Sequence, residues 1–336
     1  MSKSNTFPTP EDLTLPEIMA RFSTEEKAIE YTESLLWKNG PVCPHCGNAS
    51  SETIWKIAAN KEKKVRAGLR QCGECKKQFR VTVGTIFEDS HIPLNLWLVA
   101  WYLLSGAKKG ISAKQMQRHL GLGSYKSAWF LCHRIRHALA DVAPEGKLSG
   151  MVEVDECYYG PKTKGKGFRR GSKSAVVALV ERQTGKRRSV VLSDVVTGKN
   201  LREAVQAHVA AGATIHTDEH SGYKTLGADF WHKFVTHGKA GGKREYQRIE
   251  ADGEVVSTNY AESSFSLLRR GVIGNFHHIS RKHLGRYVAE FDFRWNSRKE
   301  TDGERTVAGL KQTQGKRLTM HDIVKHTVGT KNKQNS

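Results

Sequence analysis

Apolar and polar residues recur with two different periods along this chain, and the period changes near residue 150. Before that point the spacing is helical. Residues 24–39 (TEEKAIEYTESLLWKN) set Ala28, Tyr31, Leu35 and Leu36 on one stripe, with Ser23 or Thr24 as cap and Gly40-Pro41 as stop. Residues 92–106 (IPLNLWLVAWYLLSG) are apolar on most sides, which predicts a buried helix. Ser112-Ala-Lys-Gln115 is a capping-box pattern opening a helix over 113–120; Gly121-Leu-Gly123 makes a turn, and a second helix is predicted over 124–140. Short runs at 53–57, 64–70 and 78–83 read as strands.

Beyond residue 150 a period of two takes over. MVEVDECYY (151–159) predicts a strand with Met151, Glu153, Asp155 and Cys157 on one face and Val152, Val154, Glu156 and Tyr158 on the other. Strands are predicted at 174–181 and 188–195, turned by Gln183-Thr-Gly185. A helix over 200–211, a strand over 213–217 ending at Asp218, a fifth strand over 231–235, and helices from Asn259 and over 280–298 complete the region. Hairpin-linked strands followed by helix, strand and helix predict an α/β layer with a mixed sheet, an order that suits a ribonuclease-H-like fold. The whole reads as a multidomain α+β chain. Its parts are a helical lead (1–40), a zinc ribbon (41–90), a helical, helix-turn-helix region (91–145), the ribonuclease-H-like α/β domain (150–300) and a C-terminal tail (301–336).

Charge narrows the partners. Lys and Arg number 54 against 34 Asp and Glu, a net +20 that points to a polyanion, most simply nucleic acid. The longest apolar run, 92–104, is too short to span a bilayer and contains Asn95, so no membrane partner is expected. Residues 1–16 lack the apolar centre of a secretory signal, so the chain reads as cytoplasmic with reduced thiols. Its six cysteines are then ligands or core residues. Cys43-Pro-His-Cys46 and Cys72-Gly-Glu-Cys75, 25 residues apart, are two knuckles whose thiolates can close one tetrahedral zinc shell. With four sulfurs and no open position the site is structural, and His45 is read as non-ligating. Eight Lys and Arg between 61 and 80 crowd the same module. On the second helix, Lys126, Arg134 and Arg136 are candidate DNA contacts. The loop from Pro161 to Lys173, with Lys162, Lys164, Lys166, Arg169 and Arg170, is a candidate phosphate-contacting arm.

The chemistry is expected from acids. Asp155 is charged inside a strand bounded by valines and tyrosines, where an unpartnered carboxylate would be costly. Asp218 ends another strand. On the predicted helix from Asn259, Ala261, Phe265 and Leu268 share the packed face, and Asn259, Glu262, Arg269 and Arg270 the opposite one. Three such acids, brought together, would hold divalent metal for phosphoryl chemistry. Asn259-x-x-Glu262 equally matches a capping box, and Glu290, on the polar face predicted for the last helix, is a further candidate.

The blocks VDECYYG, HTDEHSGY and NYAESSFSLLRRGVIGNFHHISRKHLGRYVAEFDFRWNSR resemble the catalytic blocks of bacterial insertion-sequence transposases of the ISXO-like group. CPHCG with CGECKKQFRVTVGTIFEDSHIPLNLW resembles that group's zinc-ribbon leader. The resemblance runs from about residue 25 to 310. It implies a DDE-type transposase that cleaves and transfers DNA strands, with Asp155 and Asp218 as the first two catalytic acids. Asn259 and Glu262 both stand in the third block, and Arg269, seven residues after Glu262, favours Glu262. The implied cofactors are Mg²⁺ or Mn²⁺ at the acids and Zn²⁺ in the ribbon. The implied partner is double-stranded DNA, gripped in part by Arg269 and Arg270, and a homo-oligomer is expected on that DNA. The alternatives are a zinc-ribbon and helix-turn-helix regulator without catalysis, and a ribonuclease-H-like nuclease.

Overall fold

A computed structural model describes residues 13–140, 146–160, 173–192, 196–237 and 245–325, and the chain divides into two units. The first comprises Met1–Ala107, Ile111–Leu139 and Glu300–Ser336; the second comprises Lys108–Gly110 and Ala140–Lys299.

In the first unit, helices α1 (Leu15–Arg21) and α2 (Glu25–Leu36) start where threonine hydroxyls accept from amides three residues on, Thr14 from Glu17 and Thr24 from Lys27. Three short strands, β1 (Ile54–Lys56), β2 (Arg70–Cys72) and β3 (Gln78–Phe79), pair antiparallel in that order. The strand expected over 64–70 lies elsewhere, because Asn60 and Val65 close a small turn and Lys64 takes a φ of 56°. Helix α3 (Leu94–Gly106) is the expected core helix, with Trp97, Trp101 and Leu104 fully buried. Helices α4 (Ala113–His119) and α5 (Tyr125–Leu139) follow, α4 capped by Ser112 as its pattern predicts. Of residues 301–336, expected as a tail, the described ones carry two helices, Asp302–Lys311 and Met320–Lys325. Gly309 lies so close against the Trp101 ring that any side chain there would meet it.

The second unit is built on a five-stranded sheet of β4 (Met151–Tyr159), β5 (Ser174–Glu181), β6 (Arg187–Leu192), β7 (Thr214–Asp218) and β8 (Trp231–Val235). Its order is β6-β5-β4-β7-β8; β4 pairs antiparallel with β5 and parallel with β7, so the first strand sits at the centre. Helix α6 (Gly198–His208) makes the crossover from β6 to β7, opened by a capping box of Thr197 and Asn200. A small hairpin, β9 (Gln247–Ile249) and β10 (Val255–Ser257), leads into α7 (Asn259–Gly271), and α8 (Arg281–Asn296) closes the unit. Two apolar layers flank the sheet. Val152, Val154 and Ile215 pack with Leu201 and Val205 of α6 on one face. Cys157, Val176 and Ala178 pack with Phe265 and Leu268 of α7 and Val288 and Phe291 of α8 on the other. Among the described residues, no helix is long and apolar enough to cross a membrane.

Candidate functional site

The four knuckle cysteines converge in the first unit. Their sulfurs all lie within 4.8 Å of one another, with Cys43–Cys75 and Cys46–Cys72 each at 3.6 Å. A tetrahedron with Zn–S bonds of ~2.3 Å has edges of about 3.8 Å, so the cluster has the size of a zinc shell. The Asn48 amide donates to Cys72 Sγ at 3.5 Å and lowers that thiol's pKa, while, against the Asn48 backbone amide, burial and the crowding of the other three sulfurs raise that of Cys46. Among the described residues these cysteines are the one set of three or more candidate ligands gathered that tightly. Cys132 and Cys157 are buried core residues, as expected for thiols outside the knuckles.

In the second unit the sheet register brings two acids together. Met151, Val152 and Glu153 face Thr214, Ile215 and His216 on the parallel strand β7. The paired stretch ends there, and continuing its register two positions brings Asp155 level with Asp218, whose charge acts on it. Side-chain alternation puts both on one face, because Val152, Val154 and Ile215 occupy the other. Asp155 Oδ1 accepts from the Glu156 amide at 2.8 Å, and Asp218 Oδ1 accepts from the His220 amide at 3.0 Å. Burial, then the neighbouring carboxylates of Glu156, Asp218 and Glu262, push Asp155 up to about 7. Glu156 points to the opposite side, where Tyr223 donates its hydroxyl to it; burial raises this carboxyl as well.

The third block lies in the first turn of α7, whose face bearing Phe265 and Leu268 packs on the sheet. Asn259, Glu262, Arg269 and Arg270 are all exposed on the other side, as the helical projection predicts. The capping-box alternative is corrected. Thr258, not Asn259, is the N-cap, and its hydroxyl donates to Glu262 Oε1 at 3.1 Å. Glu262 Oε1 also lies 3.5 Å from His237 Nε2. The α7 amides are met instead by Glu153, whose Oε2 accepts from Tyr260 at 2.7 Å and Ala261 at 3.2 Å.

Three further expectations are corrected by burial. Glu290 is fully buried, not on a polar face, and pairs with Arg294 of the same helix at 2.5 Å. Arg134 and Arg136 are only 4% and 1% exposed, so neither is presented to DNA from α5. Arg134 lies over the Trp97 and Phe130 rings and donates to the Glu88 carbonyl, a packing role. Lys126, at the start of α5, is exposed beside Tyr125. Of the basic loop, Lys162, Lys164, Lys166, Arg169 and Arg170 lie outside the described residues. Glu153, Arg182, Tyr223 and His237 were not singled out as functional by the sequence; only Glu153 had a signal, being on the Asp155 face of its strand.

A four-cysteine cluster of zinc-shell size together with an α/β unit on a mixed sheet, in a chain of net charge +20, suits a metal-binding protein that acts on nucleic acid. Comparison with known proteins makes this specific. Residues 147–296 match the ISXO2-like transposase domain, and residues 23–78 match the transposase zinc-ribbon domain. The chain belongs to this insertion-sequence transposase family, which has DNA as its partner. It is also 27% identical over 296 residues to an uncharacterized protein in transposable element ISH50 of Halobacterium salinarum, covering 81% of this chain and 91% of that protein. A structural match to a chain in a simian T-cell lymphotropic virus intasome bound to a PP2A regulatory subunit has 11% identity and a TM-score of 0.26. It covers 53% of this chain and 63% of that one, under two thirds of its length, and carries no argument about fold at that score.

Proposed function

We propose that this transposase cleaves DNA strands at the ends of its insertion sequence and joins them to target DNA, using divalent metal held by Asp155, Asp218 and Glu262. The observation that supports the reading is that Asp155 feels the charges of both Asp218 and Glu262, on a sheet whose β4–β7 register, continued two positions, brings the two aspartates level on the face against which α7 packs. The order β6-β5-β4-β7-β8, with one acid on the central strand and one at the end of its parallel neighbour, supports a ribonuclease-H-like domain. The donor set is all oxygen and strongly anionic, which suits Mg²⁺ or Mn²⁺ rather than a second zinc. Glu262 is preferred to Asn259 as the third member because its charge acts on Asp155, while Asn259 is a neutral donor on the same turn.

Bound there, Mg²⁺ would supply Lewis-acid stabilisation of the attacking and leaving oxygens of a phosphodiester. The residues do the rest. Asp155 and Asp218 hold the reacting phosphate's counter-charge at fixed sheet positions. Arg269 and Arg270, on the same exposed face of α7 as Glu262, contact the DNA backbone. Hydrolysis at a transposon end leaves a 3′-hydroxyl and a 5′-phosphate; the hydroxyl then attacks a target phosphodiester and displaces the target strand's own 3′-oxygen, with no covalent link to the protein. Both ends have to be held at once, so a dimer or larger homo-oligomer forms on DNA. Helices α4 and α5 with their glycine turn would act as a helix-turn-helix, reading DNA through the exposed start of α5 at Lys126.

A strand-transfer assay on labelled insertion-sequence ends tests this. Wild type with Mg²⁺ should cut and join, and Asp155→Asn and Asp218→Asn should lose both by at least ~1,000-fold, the scale of an electrostatic contribution removed from a transition state. Cutting without joining would mean a nuclease. Binding without cutting would mean a regulator.

A further inference from the structure

We propose that Glu153 is a positioning residue for the carboxylate site, fixing the first turn of α7 to the strand that carries Asp155. The inference rests on the metal-binding reading above. Glu153 and Asp155 share one face of β4, two positions or ~7 Å apart. Glu153 is fully buried, and a buried carboxylate is tolerated only when its oxygens are fully engaged. Oε1 accepts from Arg182 Nη2 at 2.6 Å, Arg182 Nε at 3.0 Å and Ser257 Oγ at 3.2 Å. Oε2 accepts from the amides of Tyr260 and Ala261.

Those two amides are the second and third of α7, the donors that a capping side chain normally meets. Thr258, the N-cap, makes no such bond, and its hydroxyl goes to Glu262. The cap therefore comes from the sheet, at a point two residues from Asp155, and the helix dipole favours its negative charge. Arg182 extends the clamp by donating to Ser257 Oγ at 2.7 Å, which ties β10 to the same carboxylate. Asn259 and Glu262 flank the two anchored amides, so the clamp sets where either one stands relative to Asp155. A local cap would hold the helix together without fixing it to the sheet.

Mn²⁺ binding to the zinc-loaded full chain, read by electron paramagnetic resonance, tests the proposal. Glu153→Gln keeps an acceptor for the amides but opposes a neutral amide to Arg182, and should weaken Mn²⁺ binding at least ~10-fold. Val205→Ala, a core truncation on the other face of the sheet, destabilises the same unit and should leave the Mn²⁺ midpoint unchanged. A wild-type midpoint in Glu153→Gln, with binding lost in Asp155→Asn, overturns the proposal alone. Unchanged binding in both variants overturns the site reading and the proposal with it. Should Glu153→Gln not fold, hydrogen exchange in wild type decides. Mn²⁺ should slow exchange of the Tyr260 and Ala261 amides at least ~10-fold, because coupling between site and clamp is reciprocal; no slowing overturns the proposal.

Discussion

Replacing Asp155 with Asn should make the protein more stable above about pH 4, by an amount that grows until about pH 7. Burial, and after it the charges of Glu156, Asp218 and Glu262, push Asp155 up to about 7, against an ordinary 3.8. The native state therefore holds this proton more tightly than the unfolded chain does. Stability conferred by the group is fully present below about pH 4 and is lost as pH rises to about 7. At about 1.4 kcal/mol per pH unit, the displacement sets a ceiling of roughly 4 kcal/mol on the destabilisation at pH 8. Asn remains a polar group needing partners, so a gain of about 1–3 kcal/mol is expected. For a unit of this size that is roughly 3–10 °C in Tm. The assay is calorimetry of zinc-loaded wild type and Asp155→Asn without other divalent ions, from pH 5 to 8. The variant's advantage should be largest at pH 8 and cut by more than half at pH 5. With Mn²⁺ added, wild type should gain stability and the variant should gain little. An equal or lower Tm for the variant at pH 8, or a gap that does not change with pH, would refute the reasoning.

Other expected outcomes separate structural from functional residues. Lys126→Ala should leave Tm within about 1 °C while weakening DNA binding and reducing its salt slope by about one, measured by fluorescence anisotropy. Arg134→Ala should instead destabilise the first unit by about 2–4 kcal/mol in urea titration, through lost packing and an unpaired Glu88 carbonyl. Cys72→Ser, or stripping zinc, should abolish the ordered amide spectrum of residues 43–79, since a ribbon this small is folded by its metal. Glu290→Gln should cost about 3–5 kcal/mol by leaving Arg294 buried without its ion pair, with no change in the Mn²⁺ midpoint.

What could be read from the chain and what could not follows from the range of the interactions. The alternation in β4 was visible because a central strand must face two apolar layers, and every inward residue shows in the pattern. Asp218 was visible as the end of a short β-run. Their adjacency required the β4–β7 register, which a crossover through α6 sets and no local pattern encodes. The clamp at Glu153 joins residues 107 positions apart, so the local pattern at Asn259 and Glu262 leaves open a self-contained capping box that does not form. Arg134 and Arg136 misled because charge on a helix says nothing about which side is covered; α5 is buried on most of its surface, and Arg134 lies over Trp97, which α3 supplies. Glu290 failed for the same reason, its charge being answered within α8 by Arg294.

The most direct test of the central claim is to locate the metal. Crystals of the zinc-loaded protein soaked in Mn²⁺ and measured by anomalous scattering should show manganese at the carboxylates of Asp155 and Asp218. Manganese found only elsewhere, with the two carboxylates unligated, would contradict the account.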